Sequence, residues 1–222
     1  LGDVVEGTSL AVSPVQAVGY SLLGASMAAA VAVVLGVAAA RSVARRSGGV
    51  VDRWLLVPLG VSATTVGLGV LLAFGRPPVD LRGSWWIVPV VQAIVALPLV
   101  VRIVAPALGA IPESVLDAAS VMGRSASQRW WQVELPMVRA SVASGAVFAV
   151  VACLGEFGAT VFVARTDRPT IPVAIARLLG RPGPAGFGQA MALSCVLVVV
   201  CAALLALIDW WSRGDSNGWA LR

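Results

Sequence analysis

The stretch that decides the fold runs from residue 111 to residue 136 and reads IPESVLDAASVMGRSASQRWWQVELP. Pro112 suits the first turn of a helix, and Glu113 stabilises the positive end of the helix dipole. Gly123 can end that helix because glycine readily adopts the left-handed conformation. A second short helix is expected to begin at Ser125, which is followed three residues later by a glutamine and so matches a capping box. The segment therefore predicts two short helices joined at a glycine corner.

The first of these helices carries one apolar stripe, whose members are spaced at i, i+3, i+4 and i+7. They are Val115, Ala118, Ala119 and Met122. Such a helix could lie on the membrane surface, where the neighbouring tryptophans would help to anchor it. A stripe of small residues grips lipid weakly, however, and suits close packing in a groove on a protein partner. Periodicity alone leaves both interpretations open.

The rest of the chain is apolar enough to cross a membrane several times. Charged residues make up 12% of the 222 residues, well below the roughly 25% of an average soluble domain. The mean hydropathy is +0.91. A bilayer core needs about 20 apolar residues in a helix. Five stretches meet this requirement, namely 17–40, 54–74, 85–109, 138–164 and 188–211. We therefore predict an all-α integral membrane protein with about five transmembrane helices.

Arginines between these stretches indicate the orientation. Most of them fall in loop 41–53, in the segment after the third span and in the C-terminal tail, which share one side if there are five spans. The positive-inside rule then places the N-terminus outside and the C-terminus in the cytoplasm. Loop 165–187 argues against this orientation, because it carries four arginines and lies outside. Its middle, 172–179, could be a short helix lying against the membrane. Its arginines could attract an acidic binding protein or an anionic substrate, or could simply be solvated.

The missing residue types exclude several enzyme classes. The chain has neither lysine nor histidine, so all 16 of its basic residues are arginine. A P-loop needs lysine, whereas a serine triad, an HExxH zinc site or a proton shuttle needs histidine. The three cysteines lie in apolar runs and predict packing rather than disulfides. We expect no catalytic residue, metal or cofactor, and we interpret the net charge of +5 as a topology signal rather than a nucleic-acid surface.

The segment 111–136 also resembles the signature loop of ABC importer permeases. The family pattern is Glu-Ala-Ala, three residues, Gly, nine residues, Ile, any residue and Leu-Pro. The chain keeps both spacings, with Asp117 in place of Glu and Val133 in place of Ile. The resemblance implies a type I importer permease fold and a loop that docks into a cleft on a separate ATPase dimer. The residues that it assigns to this ATPase-coupling loop are Glu113, Asp117, Ala118, Ala119, Met122, Gly123, Leu135 and Pro136.

An acidic residue lies within the fourth predicted span, in the stretch LGEFGAT at 154–160. A carboxylate near the bilayer centre costs roughly 2.5–3.5 kcal/mol on insertion scales, so acids in spans usually mark pathways. Gly155 and Gly158 would let the helix bend or let another backbone approach. We expect Glu156 and these glycines to line the translocation pathway or its gate. The alternative is a structural hydrogen bond to a neighbouring helix.

Other polar residues in the spans are weaker candidates. Arg102 is close enough to the end of the third span to extend its charged group to the membrane surface. Gln92 lies deeper in the same span. Small residues of the first span suit close helix packing rather than binding; they are Gly24, Ala28, Gly36 and Ala40.

The stretches 154–160 and 165–183 are similar to the permeases of iron(III) and thiamine importers, which are often single chains with two fused halves. Gly-Glu-Phe-Gly-Ala-Thr is also similar to molybdate and sulfate permeases, which stay as the alternative. A secondary transporter or a channel subunit is a further alternative, to an ABC importer permease of any kind. The resemblance implies an extracytoplasmic substrate-binding protein and a second permease half or subunit as partners, in the inner (cytoplasmic) membrane.

The predicted organisation has an extracytoplasmic segment at 1–16, a permease domain at 17–211 and a cytoplasmic tail at 212–222. Residues 1–16 are polar and acidic, without the basic region of a signal peptide. Leu1 is an unusual start, and an odd number of spans leaves the N-terminus outside. We therefore expect the chain to be the C-terminal half of a fused permease.

Overall fold

The structure is a computed structural model that describes residues 14–45, 61–76, 79–80, 84–181 and 183–217. Within these residues the helices are α1 Pro14–Arg45, α2 Ala63–Phe74, α3 Ile87–Gly109, α4 Glu113–Val121, α5 Ala126–Arg129, α6 Leu135–Gly155, α7 Thr160–Val163, α8 Ile171–Leu179 and α9 Pro184–Asn217. A π-helical turn, Trp130–Glu134, joins α5 to α6. Two short strands, β1 Gly75–Arg76 and β2 Val79–Asp80, pair in antiparallel fashion.

Four helical segments in the described residues are long and apolar enough to cross a membrane. They are Gln16–Arg45, Ile87–Gly109, Ala126–Gly155 and Pro184–Trp210. These segments confirm the prediction of an all-α, multi-span membrane protein. Of the predicted span 54–74, the described part forms the 12-residue apolar helix α2, whereas residues 54–60 lie outside the described residues.

The helix that contains the predicted fourth span, 138–164, differs from that prediction at both ends. Helical structure begins earlier, at Ala126, because the π-helical turn makes α5 and α6 continuous. It ends earlier, at Gly155, because Glu156 adopts an extended backbone conformation with ψ 112°. Hydropathy alone could not show this break, since the residues beyond it are as apolar as those before it.

The core is formed by α1, α3 and α6, whose small and β-branched residues interlock. Ala28 and Ala40 of α1 are fully buried. Gly36 faces α3 so closely that a β-carbon there would lie 2.9 Å from the Val100 side chain. Gly24 faces the side chain of Gln92. The prediction that these small residues build the helix bundle is therefore confirmed.

The short helix predicted at 172–179 is present as α8, which packs against other helices of the chain. Its buried residues Ile171, Ala174 and Leu178 form an apolar cluster with Ala17 of α1 and with two residues of α9. The Ile171 amide donates a hydrogen bond of 2.6 Å to the Ser21 hydroxyl of α1. Helix α8 is therefore packed against the N-terminal parts of α1 and α9.

Candidate functional site

The two-helix corner predicted from the sequence is present at α4 and α5. Gly123 has a φ of +77°, the left-handed conformation that favours glycine. The Ser125 amide donates to Gln128 Oε1 over 2.9 Å, and the Gln128 amide donates to Ser125 Oγ over 3.3 Å. Glu113 lies in the first turn of α4, and Pro136 lies in the first turn of α6. The predicted glycine corner and capping box are therefore confirmed, whereas Pro112 precedes the first turn of α4 as its N-cap residue.

The apolar stripe predicted on α4 is buried along one edge only. Ala119 is 2% exposed and Val115 packs on the core, so both face the chain itself. Ala118 and Met122 face outward, and the side chain of Val121 is 88% exposed. The stripe is therefore present, and its Val115 and Ala119 edge packs on the core together with Leu116. The exposed large apolar residues of this segment, Val121 and Met122, lie at its last turn.

The other residues of the predicted coupling loop are distributed over the same segment. Asp117 is exposed beside Ala118, and Pro136 is exposed at the start of α6. Leu135 is half-buried between Pro136 and the buried Glu134. The predicted set thus lies on one continuous stretch of structure, with its exposed members concentrated on α4.

Glu134 is the most deeply buried acid in the described part of the chain, with 2% of its side chain exposed. Three arginines surround its carboxylate. Arg45 Nη2 lies 2.5 Å from Oε1, Arg129 Nε lies 3.3 Å from the same oxygen, and Arg41 Nε lies 3.4 Å from Oε2. We call these four residues the Glu134 cluster. It joins the last turn of α1 to the π-helical turn.

Further contacts extend the Glu134 cluster to both short helices. The Arg41 guanidinium lies 4.6 Å from the centre of the Trp130 ring and donates to the Ala126 carbonyl over 3.4 Å. Arg129 Nη1 donates to the Ser120 hydroxyl of α4 over 3.2 Å. The end of α1 therefore contacts both Ala126, the first residue of α5, and Glu134, the last residue of the π-helical turn.

A partly open cavity of about 230 Å³ lies beside the cluster. Its lining combines Arg41, Arg45 and Glu134 with Glu113 of the predicted coupling loop and with Leu108 of α3. The cavity therefore separates the start of α4 from the ends of α1 and α3. Sequence reasoning missed the cluster, because Glu134 occupies the position at which the family pattern accepts any residue.

The second candidate site is the break between α6 and α7. The Glu156 carboxylate is half-buried and accepts a hydrogen bond of 2.8 Å from the Ala159 amide. The Thr160 hydroxyl donates to the Glu156 carbonyl over 2.7 Å. A β-carbon at Gly158 would lie 2.9 Å from Thr64 Oγ1 of α2, whereas Gly155 faces open space. Glu156 thus stabilises the turn that carries it, and Gly158 allows α2 to approach.

The two weaker candidates in α3 have different surroundings. Gln92 is 2% exposed, and its amide donates to the Cys153 carbonyl near the end of α6 over 2.8 Å. Its Oε1 is buried without a hydrogen-bond partner among the described residues. Arg102 is exposed and lies ten residues further along α3, in its C-terminal half. Gln92 therefore holds α3 to the last turn of α6, immediately before the break.

The arginine-rich loop is partly folded on itself. Arg165 Nε lies 2.8 Å from the Asp167 carboxylate, and this hydrogen bond lowers the pKa of Asp167 from its usual value. Arg177 donates to the carbonyls of Thr166 and Ala164. The Arg168 guanidinium lies 5.5 Å from the centre of the Tyr20 ring. The arginines of this loop therefore make contacts that order it, in addition to making it basic.

The three cysteines are free thiols that differ in burial. Cys153 is buried and packs in the core, with its thiol 3.7 Å from the Gln92 carbonyl. Cys201 is half-buried. Cys195 is exposed on α9, so the prediction of buried packing is wrong for this residue, because that helix leaves most of its apolar surface uncovered.

Known proteins resemble this chain over most of its length. It is 29% identical over 169 residues to the putative 2-aminoethylphosphonate transport system permease protein PhnV of Salmonella paratyphi A, covering 74% of this chain and 63% of that protein. It is 27% identical over 150 residues to the ferric transport system permease protein FbpB of Actinobacillus pleuropneumoniae, covering 68% of this chain and 21% of that protein. It is 27% identical over 178 residues to the molybdenum transport system permease protein ModB of Escherichia coli K12, covering 73% and 76%.

These relatives share the word permease in their names and differ in the substance that each transports. The chain spans less than two thirds of the length of the first two. Residues 32–214 match the family described as binding-protein-dependent transport system inner membrane component. This range contains the two-helix corner, the Glu134 cluster and the break at Glu156. The chain therefore belongs to the family of inner membrane components of binding-protein-dependent transport systems.

Proposed function

We propose that this chain is a permease subunit of an ABC importer, which forms part of the translocation pathway and receives its energy from a separate ATPase dimer. The observation that carries the proposal is the corner at Gly123, which presents the last turn of α4 outward at the position of the family's signature loop. Val121 and Met122 are 88% and 69% exposed there. An exposed apolar turn of this kind suits insertion into a groove on a partner.

The missing lysine supports the same division of labour. A P-loop ATPase places a lysine on the nucleotide phosphates, and this chain has no lysine. ATP hydrolysis is therefore proposed for the partner subunit, with an extracytoplasmic binding protein delivering the substrate. A second permease half or subunit would complete the pathway.

Capture of the ATPase tests the proposal. The chain is co-expressed with its cognate ATPase, purified in detergent through a tag on the chain, and the ATPase in the eluate is quantified. We expect stoichiometric capture by the unmodified chain and strong loss of capture by Met122→Asp, because a charge at the last turn of α4 opposes burial in an apolar groove. Leu179→Asp is the matched control, since Leu179 is 51% exposed at the end of α8. Equal capture by both variants would contradict the proposal.

The proposed substrate is iron(III) or thiamine, on the resemblance of residues 154–160 and 165–183 to those permeases. A ferric transport permease among the relatives supports iron, whereas the names of the other relatives make 2-aminoethylphosphonate and molybdate the alternatives. Calorimetric titration of the partner binding protein with Fe(III), thiamine, 2-aminoethylphosphonate, molybdate and sulfate would decide between them. Tight binding of molybdate or the phosphonate alone would refute the iron or thiamine assignment.

Gly155, Glu156 and Gly158 are proposed to line the translocation pathway or its gate. The break in the helix supports this assignment, because non-helical backbone at membrane depth is tolerated where it packs in protein or lines a cavity. A secondary transporter remains the second candidate function, since Glu156 could bind a coupling ion. Transport by proteoliposomes that contain the whole complex distinguishes the two, because uptake by a secondary transporter would not require ATP.

A further inference from the structure

We propose that Glu134 is a positioning residue. Its cluster with Arg41, Arg45 and Arg129 holds residues 111–136, here called the coupling segment, against the end of α1. Through this contact a movement of the coupling segment is passed to the helix bundle. The inference rests on the proposed coupling function of α4 and α5, and it adds the physical connection between that segment and the transmembrane helices.

The charge balance makes Glu134 the centre of the connection. Three guanidinium groups lie within 3.4 Å of one carboxylate that is 2% exposed. Without the carboxylate, the two arginines of α1 and Arg129 would repel one another at short range. The arginines are 22–36% exposed, so water can solvate them when they separate. Loss of the Glu134 charge is therefore expected to release the segment from α1.

The π-helical turn sets the geometry of the cluster. Arg129 and Glu134 are five residues apart, which is one step of the i→i+5 pattern of a π-helix, so their side chains share a face. In a regular α-helix, residues five apart would point in different directions. Short π-helical turns occur frequently at functional sites. Here the turn brings Arg129 to the Glu134 carboxylate, which also binds Arg41 and Arg45 of α1.

Helix α1 can carry a displacement from this cluster across the bundle. Val37, one turn before Arg41, and Ala40, immediately before it, are buried in the core with residues of α3 and α6. Near its other end, Ser21 accepts the amide hydrogen bond from Ile171 of α8. A single helix therefore contacts the coupling segment at one end and the helix of the arginine-rich loop at the other.

A distance measurement in the assembled complex tests the cluster directly. Nitroxide labels are placed on cysteines at Ser42 of α1 and Ser114 of α4, in a chain whose native cysteines are replaced by alanine, and the complex with its ATPase is reconstituted in nanodiscs. We expect a narrow interspin distribution for the unmodified cluster and a clearly broader one for Glu134→Gln. Asp209→Asn, a carboxylate-to-amide change near the end of α9, should leave the distribution narrow.

Coupled activity provides the readout that a merely structural role would not change. The ratio of ATPase activity with the binding protein to the activity without it is measured for Glu134→Gln, Arg45→Gln and the double variant. We expect each single variant to lower the ratio. The fold-decrease in the double variant should be smaller than the product of the two single fold-decreases, by a factor of about ten, because both substitutions remove the same contact. Glu134→Asp should recover part of the ratio.

The outcomes separate this inference from the proposed function. Failure of the unmodified chain to capture its ATPase would overturn the function and the inference with it. Capture by Glu134→Gln with a native distance distribution and a native activity ratio would overturn the inference alone. If Glu134→Gln does not assemble, Arg45→Gln decides, since Arg45 is 36% exposed; a native distribution and ratio in that variant would also overturn it.

Discussion

Gly67 of α2 lies directly on the backbone of Ala159, so closely that a β-carbon at residue 67 would clash with the Ala159 carbonyl oxygen. Ala159 is the last residue of the break between α6 and α7 and is fully buried. The Ala159 amide also binds the Glu156 carboxylate. The 12-residue helix α2 therefore holds the break in place from one side, and Glu156 holds it from within.

Substitution of Gly67 by alanine should destabilise the bundle by about 1–3 kcal/mol, because the added methyl group meets backbone atoms that cannot rotate away. The apparent melting temperature in detergent, followed by size-exclusion chromatography after heating, measures the effect. Gly69→Ala is the matched control two residues along the same helix, where a β-carbon meets nothing within 4 Å. Its effect should be neutral or slightly stabilising. An equal loss in both variants would contradict the close approach.

Two substitutions of Glu156 separate its structural role from a role in the pathway. Glu156→Gln keeps an oxygen that can accept the Ala159 amide hydrogen bond, whereas Glu156→Ala removes it and should destabilise the fold by about 1–3 kcal/mol. If Glu156 lines the pathway, the glutamine variant should insert and melt normally but transport more slowly. Uptake of radiolabelled substrate by proteoliposomes, compared with the melting temperature, checks both expectations. Unchanged transport in a stable glutamine variant would leave Glu156 a purely structural residue.

The sequence predicted the parts of the coupling segment that depend on neighbouring residues. The capping box at Ser125 and the corner at Gly123 are local, so their residue types determine their conformation. The Glu134 cluster could not be predicted in this way. Glu134 meets Arg41 across a separation of 93 residues, and no pattern of neighbouring residue types indicated the π-helical turn that aligns Glu134 with Arg129.

The break at Glu156 illustrates a different error, in which the predicted span continued through a residue where the helix ends. Glycines on both sides of Glu156 allowed a bend, yet the run of apolar residues through Val163 favoured a continuous span. The structure ends α6 at Gly155, because Glu156 caps the following turn and Gly158 admits Thr64 of α2. Contacts with a distant helix decided between two conformations that the local sequence permits.

Gly123→Val should uncouple ATP hydrolysis from transport while leaving membrane insertion intact. A left-handed conformation costs a non-glycine residue roughly 1–2 kcal/mol, and a β-branched residue tolerates it least. The corner would therefore open and α4 would change its angle to α5. The measurement is the amount of substrate taken up per ATP hydrolysed. Gly109→Val, at the last residue of α3 where a β-carbon meets open space, should keep the native ratio. Full coupling in Gly123→Val would show that the angle of the corner is unimportant.

Gln92 offers a test of how α3 is held to the end of α6. Gln92→Met preserves the length of the side chain and removes both the amide donor and the buried oxygen that lacks a partner among the described residues. The Cys153 carbonyl keeps the 3.3 Å hydrogen bond from the Glu156 amide. We therefore expect a change in stability within about 1 kcal/mol, since replacement by an apolar group of similar shape can be nearly neutral.

Gln92→Glu should behave differently, because it places a carboxylate against the Cys153 carbonyl at a site that is 2% exposed. The variant must either be protonated or bury an unpaired charge, and the second state costs several kcal/mol. We expect a lower melting temperature at pH 8 than at pH 5 for Gln92→Glu, and equal shifts at both pH values for Gln92→Met. A melting temperature of Gln92→Glu that does not respond to pH would show that residue 92 is solvated, and that the contact between α3 and α6 is open at this level.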